Sequence, residues 1–298
     1  MANENSKIKN SDQVKDKQET IEDIILRHSE RGMPDIRFYL SSDYCTKAAR
    51  EILSWEKGNV FLTTGFYVKG YAETDGPVGT VALSKALSKL GFNPVIITDE
   101  FCKGFFEIED IETVYLDIDN KGDDIDHLVK KYDPKGLISI ERCGRNRHGF
   151  YANMKGEDIG AFTAPIDEMY IRYRGLIPTI GVGDGGNEIG MGKIAGPILR
   201  KLSLEPCVIP ADIFVIASVS NWGAYGIIAA LAKLSNMKLV PGLDFVETYI
   251  KKTVKLGSVD GVTGWNSVSV DGKNMKTEYE ILHALRKLER SYIQNNCA

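Results

Sequence analysis

The stretch IGVGDGGNEIGMGK (180–193) begins as the end of an apolar run, PTIGVGD (178–184), and continues as a turn in which glycines alternate with Asp184, Asn187, Glu188 and Lys193. Such a sequence reads as a buried strand that delivers a glycine-opened site to the edge of a sheet. Two nucleotide patterns half match it. Gly181, Gly183 and Gly186 satisfy G-x-G-x-x-G, but a dinucleotide site also needs an acidic residue about 20 positions on, at the end of the next strand. Here that strand ends in Ser218 and Ser220. In the P-loop pattern, the first glycine falls on Asn187 and the hydroxyl residue after Lys193 falls on Ile194. What remains is an acidic strand-to-helix turn. Asp184 and Glu188, four apart at an expected helix start, are predicted to face one space and to carry acid/base work or hold a divalent metal. The plainer alternative is that Asp184 caps the helix and Glu188 complements its dipole. The density of glycines favours a functional turn.

Working outward, five more runs resemble this strand: NVFLTTGF (59–66), PVIITDE (94–100), TVYLDID (113–119), GLISIER (136–142) and IFVIASVS (213–220). Runs this apolar imply burial on both faces, and the helical segments between them imply crossovers in a mostly parallel sheet. The predicted fold is α/β, a three-layer α/β/α, Rossmann-like arrangement with extra N- and C-terminal helices. One N-terminal helix is expected from Glu19 to near Gly32, a second over Cys45–Trp55, and a long final helix from about Lys276 to Ile293. Residues 1–17 read as a disordered or frayed polar tail, and 18–298 as one domain with no repeat or linker.

Composition narrows the function. With 37 basic and 41 acidic residues and a net charge of −4, the 298-residue chain has no footprint for nucleic acid or an anionic membrane. No run reaches the roughly 18 apolar residues of a membrane span, and there is no signal-peptide pattern. Five dispersed cysteines, Cys45, Cys102, Cys143, Cys207 and Cys297, lack zinc-ligand spacing and suggest free thiols, hence a cytoplasmic location. A homo-oligomer is left open.

In open α/β sheets, ligands bind beyond the carboxyl ends of the strands. That rule selects four further segments. In ETDGPVGTVALSKAL (73–87), Pro77 suits the first turn of a helix capped by Asp75 or Gly76, and Gly76 and Gly79 would leave backbone N–H groups open to a carboxylate or phosphate. In SIERCGRNRHG (139–149), Arg142 and Arg145, with Asn146 beside them, could clamp an anionic substrate, and Glu141 joins Asp75 as a second candidate for acid/base work. Asn221 in SVSNWGAYG (218–226) reads as an N-cap able to touch a ligand. Asp260 to Gly264 reads as a turn, with closure over the site as its functional alternative.

These segments, TTGF, ETDGPVGTVALSKAL, SIERCGRNRHGFYANMKGEDI, IGVGDGGNEIGMGK and SVSNWGAYG in that order, resemble the D-glutamate cyclase C-terminal-domain family. In some members this domain follows a second, unrelated N-terminal domain. The resemblance implies a hydro-lyase that cyclises D-glutamate, or a related acidic amino acid, to 5-oxo-D-proline and water without an organic cofactor. Mg²⁺ or Mn²⁺ on Asp184 and Glu188 is the metal expectation. The implied substrate-binding set is Thr64, Gly65, Gly76, Gly79, Arg142, Arg145, Asn146, Gly185, Asn187 and Asn221. Two alternatives stand beside it. GDGGNE (183–188) also resembles the acidic loop of Mg-dependent haloacid dehalogenase-like phosphatases, with Asp117-Ile118-Asp119 as their DxD motif, and a non-catalytic small-anion-binding protein would use the same loops.

Overall fold

The computed structural model describes residues 19–120, 122–202 and 204–295. The expected tail (1–17) and Cys297 lie outside the described residues. Six strands form one sheet: β1 (Asn59–Thr63), β2 (Asn93–Thr98), β3 (Thr113–Tyr115), β4 (Leu137–Ile140), β5 (Thr179–Gly183) and β6 (Ile213–Ile216). Their spatial order is β3-β2-β1-β4-β5-β6, and every pairing is parallel. Five lie within the apolar runs identified above, and β2 starts one residue before its run, at Asn93. In five of the six strands the central residues are buried because a parallel sheet is covered on both faces, while the edge strand β3 is half-buried.

The helices are α1 (Ile21–Ile25), α2 (Met33–Ile36), α3 (Tyr44–Ser54), α4 (Pro77–Lys89), α5 (Asp123–Tyr132), α6 (Asp167–Arg172), α7 (Ala195–Leu202), α8 (Ser220–Ser235), α9 (Leu243–Lys255) and α10 (Met275–Asn295). Together with the sheet they make a three-layer α/β/α fold. Helix α8 is apolar nearly all round, from Trp222 to Ala232, and is buried accordingly between α3, α4 and α10. Two short antiparallel hairpins, Tyr67–Ala72 and Ser269–Asn274, project from this frame. Among the described residues, no helix is long and apolar enough to cross a membrane. Cys45, Cys102, Cys143 and Cys207 are free and buried.

Two helix boundaries differ from the sequence reading. The N-terminal helix does not run to Gly32: α1 stops at Ile25, and His28 (φ 55°) and Gly32 (φ 77°) take left-handed backbone conformations that a continuous helix cannot contain. The break between them carries Arg31. Helix α8 starts at Ser220 after Val219, so Asn221 lies inside its first turn and is not its N-cap.

The topology fixes where a ligand can sit. From β1 the chain builds outward through β2 and β3, and from β4 it builds the other way through β5 and β6. The carboxyl ends of β1 and β4 therefore flank the point where strand order reverses, the usual crevice of doubly wound sheets.

Candidate acidic centre at the switch point

Three carboxylates meet in that crevice. Glu141 follows β4 directly, Asp184 follows β5 directly, and Asp75 lies on the segment between β1 and α4; one oxygen from each lies within 4.8 Å of the others. Glu141 takes φ 47°, a left-handed conformation that a non-glycine residue adopts only when its surroundings impose it. Its Oε2 accepts from Ser220 Oγ at 2.5 Å. Two further buried acids border the group: Glu73, held by backbone pairing with Phe66 and Val259, and Asp271, at the tip of the second hairpin (φ 52°). One cation enters this group. Arg31 Nη1 lies 2.5 Å from Asp184 Oδ1 and 3.0 Å from Asp271 Oδ2.

Five buried carboxylates against one guanidinium cannot all stay ionised in a poorly solvated crevice. Burial pushes Asp184 up to about 7, with Asp75 and Glu188 adding repulsion against the pull of Arg31. Burial and then Asp271 push Asp75 up to about 7, against N–H donors from Asn221 and Ser220. Glu141, Glu73 and Asp271 are driven well above the usual carboxylate range, first by burial and then by neighbouring acids. Arg31 stays charged, because Asp184 and Asp271 outweigh its burial.

This has a consequence for stability. Asp75 and Asp184 titrate near pH 7 in the folded protein but near 3.8 when unexposed to these neighbours. Between those values the folded state binds protons that the unfolded chain does not, so the stabilisation is complete below about 3.8 and is lost as pH rises through about 7. The melting temperature is therefore expected to rise when pH is lowered from 8.5 to 6. A flat or falling profile over that range would contradict the proton sharing.

Asp75 also has a structural task. Its Oδ2 accepts from Ser220 N at 2.8 Å and its Oδ1 from Asn221 N at 2.8 Å, placing the carboxylate on the N-terminus of α8. Reciprocally, Asn221 Oδ1 accepts from Gly76 N (3.0 Å) and Gly79 N (2.8 Å) at the start of α4. The two helix starts cap each other. The amides expected to hold a substrate anion at Gly76 and Gly79 are thus already occupied, and Asn221 spends its own carbonyl there. At Gly79 an added Cβ would meet Asn221 Cα at 2.9 Å, so glycine is needed for this close helix contact.

The glycine-rich turn is likewise closed on itself. No helix starts at Asp184; the chain turns irregularly until a 3₁₀ turn at Gly192–Ile194 and then α7. Glu188 folds back so that its Oε1 accepts from Asp184 N (3.2 Å) and Gly185 N (2.7 Å), and its Oε2 from Gly186 N (2.8 Å). This backbone cradle suits an anion, and the anion it holds is the chain's own carboxylate. A Cβ on Gly183 would lie 2.7 Å from Glu188 Oε2, and Gly186 takes φ 121°, so the glycines serve the fold-back and leave no open amides at Gly185 for a ligand. The expected partnership of Asp184 with Glu188 in metal binding gives way to Asp184 with Asp75 and Glu141.

The two arginines expected to clamp substrate face elsewhere. Arg142, 1% exposed, pairs with Asp99 at 2.6 Å and donates to the carbonyls of Gly65 and Ala164, each at 2.8 Å. Arg145 pairs with Asp167 (2.9 Å) and Glu168 (2.5 Å). Both fasten loops beneath the site. Asn146 accepts from His148 N and Phe150 N, holding its own loop. Thr64 is buried beside Gly76. Asn187 lines the cleft but donates to Ala152 O at 2.8 Å.

A cleft of about 490 Å³ opens over Glu73, Glu141 and Arg31. The 261–264 segment lines it, organised by Asp260, which accepts from Val262 N, Thr263 N, Ser269 Oγ and Gly272 N. Arg31, Glu73 and Asp271 were not singled out in the sequence. Glu73 and Asp75 sit at the i, i+2 spacing that places two side chains on one face of extended chain, and SVDGKN (269–274) carries an Asp-Gly hairpin signal at Asp271. Arg31, which reaches the site from a break in the N-terminal helices, leaves no such signal. The phosphatase alternative loses its geometry: Asp117 is exposed beyond the edge strand β3, with β2, β1 and β4 between it and Asp184's strand.

Fold and site together describe a Rossmann-like α/β protein with a buried cluster of carboxylates at its switch point. The chain belongs to the D-glutamate cyclase-like, C-terminal family, whose model matches residues 21–286. Over 233 residues it is 32% identical to the Homo sapiens protein named D-glutamate cyclase, mitochondrial; the match covers 70% of this chain and 37% of that protein's length.

Proposed function

We propose that this protein is a lyase that closes the ring of D-glutamate, or of a close acidic analogue, to give 5-oxo-D-proline and water. Family membership supports the substrate class, and the observation that carries the chemistry is the cluster of Asp75, Glu141 and Asp184 with Asp75 and Asp184 near pKa 7. The proton balance explains the fit. The α-ammonium must lose two protons as the C–N bond forms, and both leave with a γ-carboxyl oxygen as water. The reaction therefore moves protons from nitrogen to oxygen across a few ångströms. Asp184, held near neutrality by burial, can accept one proton while Glu141, held well above the usual carboxylate range by burial and its acidic neighbours, donates another. Arg31, which lines the cleft, is the cation placed to hold the substrate's α-carboxylate and so curl the chain toward its own amine.

Asp75, Glu141 and Asp184 also fit a divalent cation, because they offer closely spaced oxygen donors and Asp184 Oδ2 is buried without a hydrogen-bond partner. Bound there, Mg²⁺ or Mn²⁺ would polarise the γ-carboxyl oxygen. On this reading MnCl₂ raises the melting temperature more at pH 8, where the acids are ionised, than at pH 6, where protons compete; an equal rise at both would argue against the triad. The cytoplasmic location suggested by the cysteine pattern belongs to the same proposal.

The deciding experiment incubates purified protein with D-glutamate and with L-glutamate, with and without MnCl₂, and follows 5-oxoproline by NMR. Turnover of the D-isomer supports the lyase. Ligand-induced stabilisation with no turnover of any acidic amino acid would replace it with a binding protein.

A further inference from the structure

We infer that the site also takes γ-glutamyl amides, so that an amine leaves in place of water when the ring closes. This rests on the cyclisation reading above and extends it to a second substrate class.

Charge is the first reason. The inner end of the cleft holds Glu73 and Glu141, with Asp75, Asp184 and Asp271 adjoining, and Arg31 is the cation in contact with them. Free glutamate brings two carboxylates to this place. Its α-carboxylate can meet Arg31, but its γ-carboxylate enters the acidic group only together with a proton or cation that offsets its charge. A γ-amide presents a neutral carbonyl to the same acids.

Size and polarity are the second. A volume of about 490 Å³ lies within the range of roughly 300–1,000 Å³ typical of pockets for drug-sized ligands. A five-carbon amino acid occupies a small part of it. The remainder is bounded on one side by an apolar wall that includes Phe66, Tyr67, Met154 and Phe162, and elsewhere by polar residues that include Lys69 and Lys155. Tyr67 and Phe162 stack with ring centroids 4.3 Å apart, and Phe101 meets Tyr67 edge-on at 4.8 Å, so this wall is built, yet Phe162 remains 40% and Met154 43% exposed. An acidic inner end that binds an amine, continued by an aromatic wall, matches a γ-glutamyl group carrying an apolar or aromatic amine.

The step balances without a co-reactant. The α-ammonium first gives one proton to solvent; the α-amine nitrogen then forms a bond to the carbonyl carbon of the γ-amide, the amide C–N bond breaks, and a second proton passes from the α-nitrogen through the carboxylates to the departing nitrogen. The products are 5-oxoproline and the free amine.

The test uses γ-D-glutamyl-p-nitroanilide beside D-glutamate on the same preparation, with p-nitroaniline read by absorbance and 5-oxoproline by NMR. The expected result is equal release of both products, with kcat/KM at least about tenfold above that for D-glutamate. Phe162→Ala is expected to raise KM for the anilide by about tenfold, the scale of one apolar contact in a specificity pocket, and to lower the anilide-to-glutamate ratio of kcat/KM. Turnover of D-glutamate without the anilide overturns this inference and leaves the lyase intact. Release of p-nitroaniline with free glutamate in place of 5-oxoproline overturns it too, as hydrolysis. Failure of both substrates overturns the cyclisation reading and this one with it.

Discussion

Asp184→Asn is expected to lower turnover of D-glutamate by about a thousandfold, the scale of losing a positioned proton-transfer group, and to leave the melting temperature at pH 8 no lower than that of the unchanged protein. The two halves of this expectation come from one fact. Asp184 is fully buried among like charges, and its carboxyl is held up to about 7 chiefly by burial. Above that pH its ionised form is a cost to the fold, partly offset by Arg31 at 2.5 Å. Asparagine keeps the shape, removes the charge and leaves Arg31 its second partner, Asp271, at 3.0 Å. Function is lost because an amide cannot take a proton; the fold is spared because a repulsive charge is gone, which is the usual trade between activity and stability at such sites. Retained turnover in Asp184→Asn would remove it from the chemistry and shift the proton transfer to Asp75 or Glu141. Lost turnover with a large fall in melting temperature would instead give Asp184 a structural role.

The sheet was legible because each strand is an apolar run bounded by turn residues, and nothing nearby competes with that pattern. The rule that ligands sit beyond strand ends selected the loops of Asp184 with Glu188 and, as second candidates, Asp75 and Glu141; the grouping of Asp75, Glu141 and Asp184 comes from the structure. Partners were harder to read. Arg142 and Arg145 looked like substrate clamps because a strand end followed by arginines is also what a buried loop-fastening pair looks like; only the positions of Asp99 and Asp167, distant in sequence, distinguish the two. Arg31 is the converse case. It works through a helix break set by His28 and Gly32 and meets Asp184 across 153 positions of chain. Long-range pairing of this kind depends on the finished fold, and local patterns carry no record of it.

Glu188→Ala is expected to do what Asp184→Asn does not: unfold the turn. The Glu188 carboxylate is fully buried and accepts three backbone N–H groups, from Asp184, Gly185 and Gly186. Alanine would strand all three, and a buried donor without a partner costs about 1–3 kcal/mol. Allowing for partial relaxation and entry of water, the loss is about 3–6 kcal/mol, a fall in melting temperature of roughly 5–10 °C in a chain of this size. Glu188→Gln keeps one acceptor oxygen and should fall between the two. The damage would spread to the chemistry, because the same turn is tied to β4's exit by Gly144 N to Asn187 O (3.0 Å) and Ile189 N to Arg142 O (2.9 Å), next to Glu141. Activity should therefore decline together with stability and recover in part where low temperature restores folding. If Glu188→Ala instead melted like the unchanged protein and lost only turnover, Glu188 would belong with Asp184 among the reacting acids, and the turn's glycines would again need a ligand to explain them.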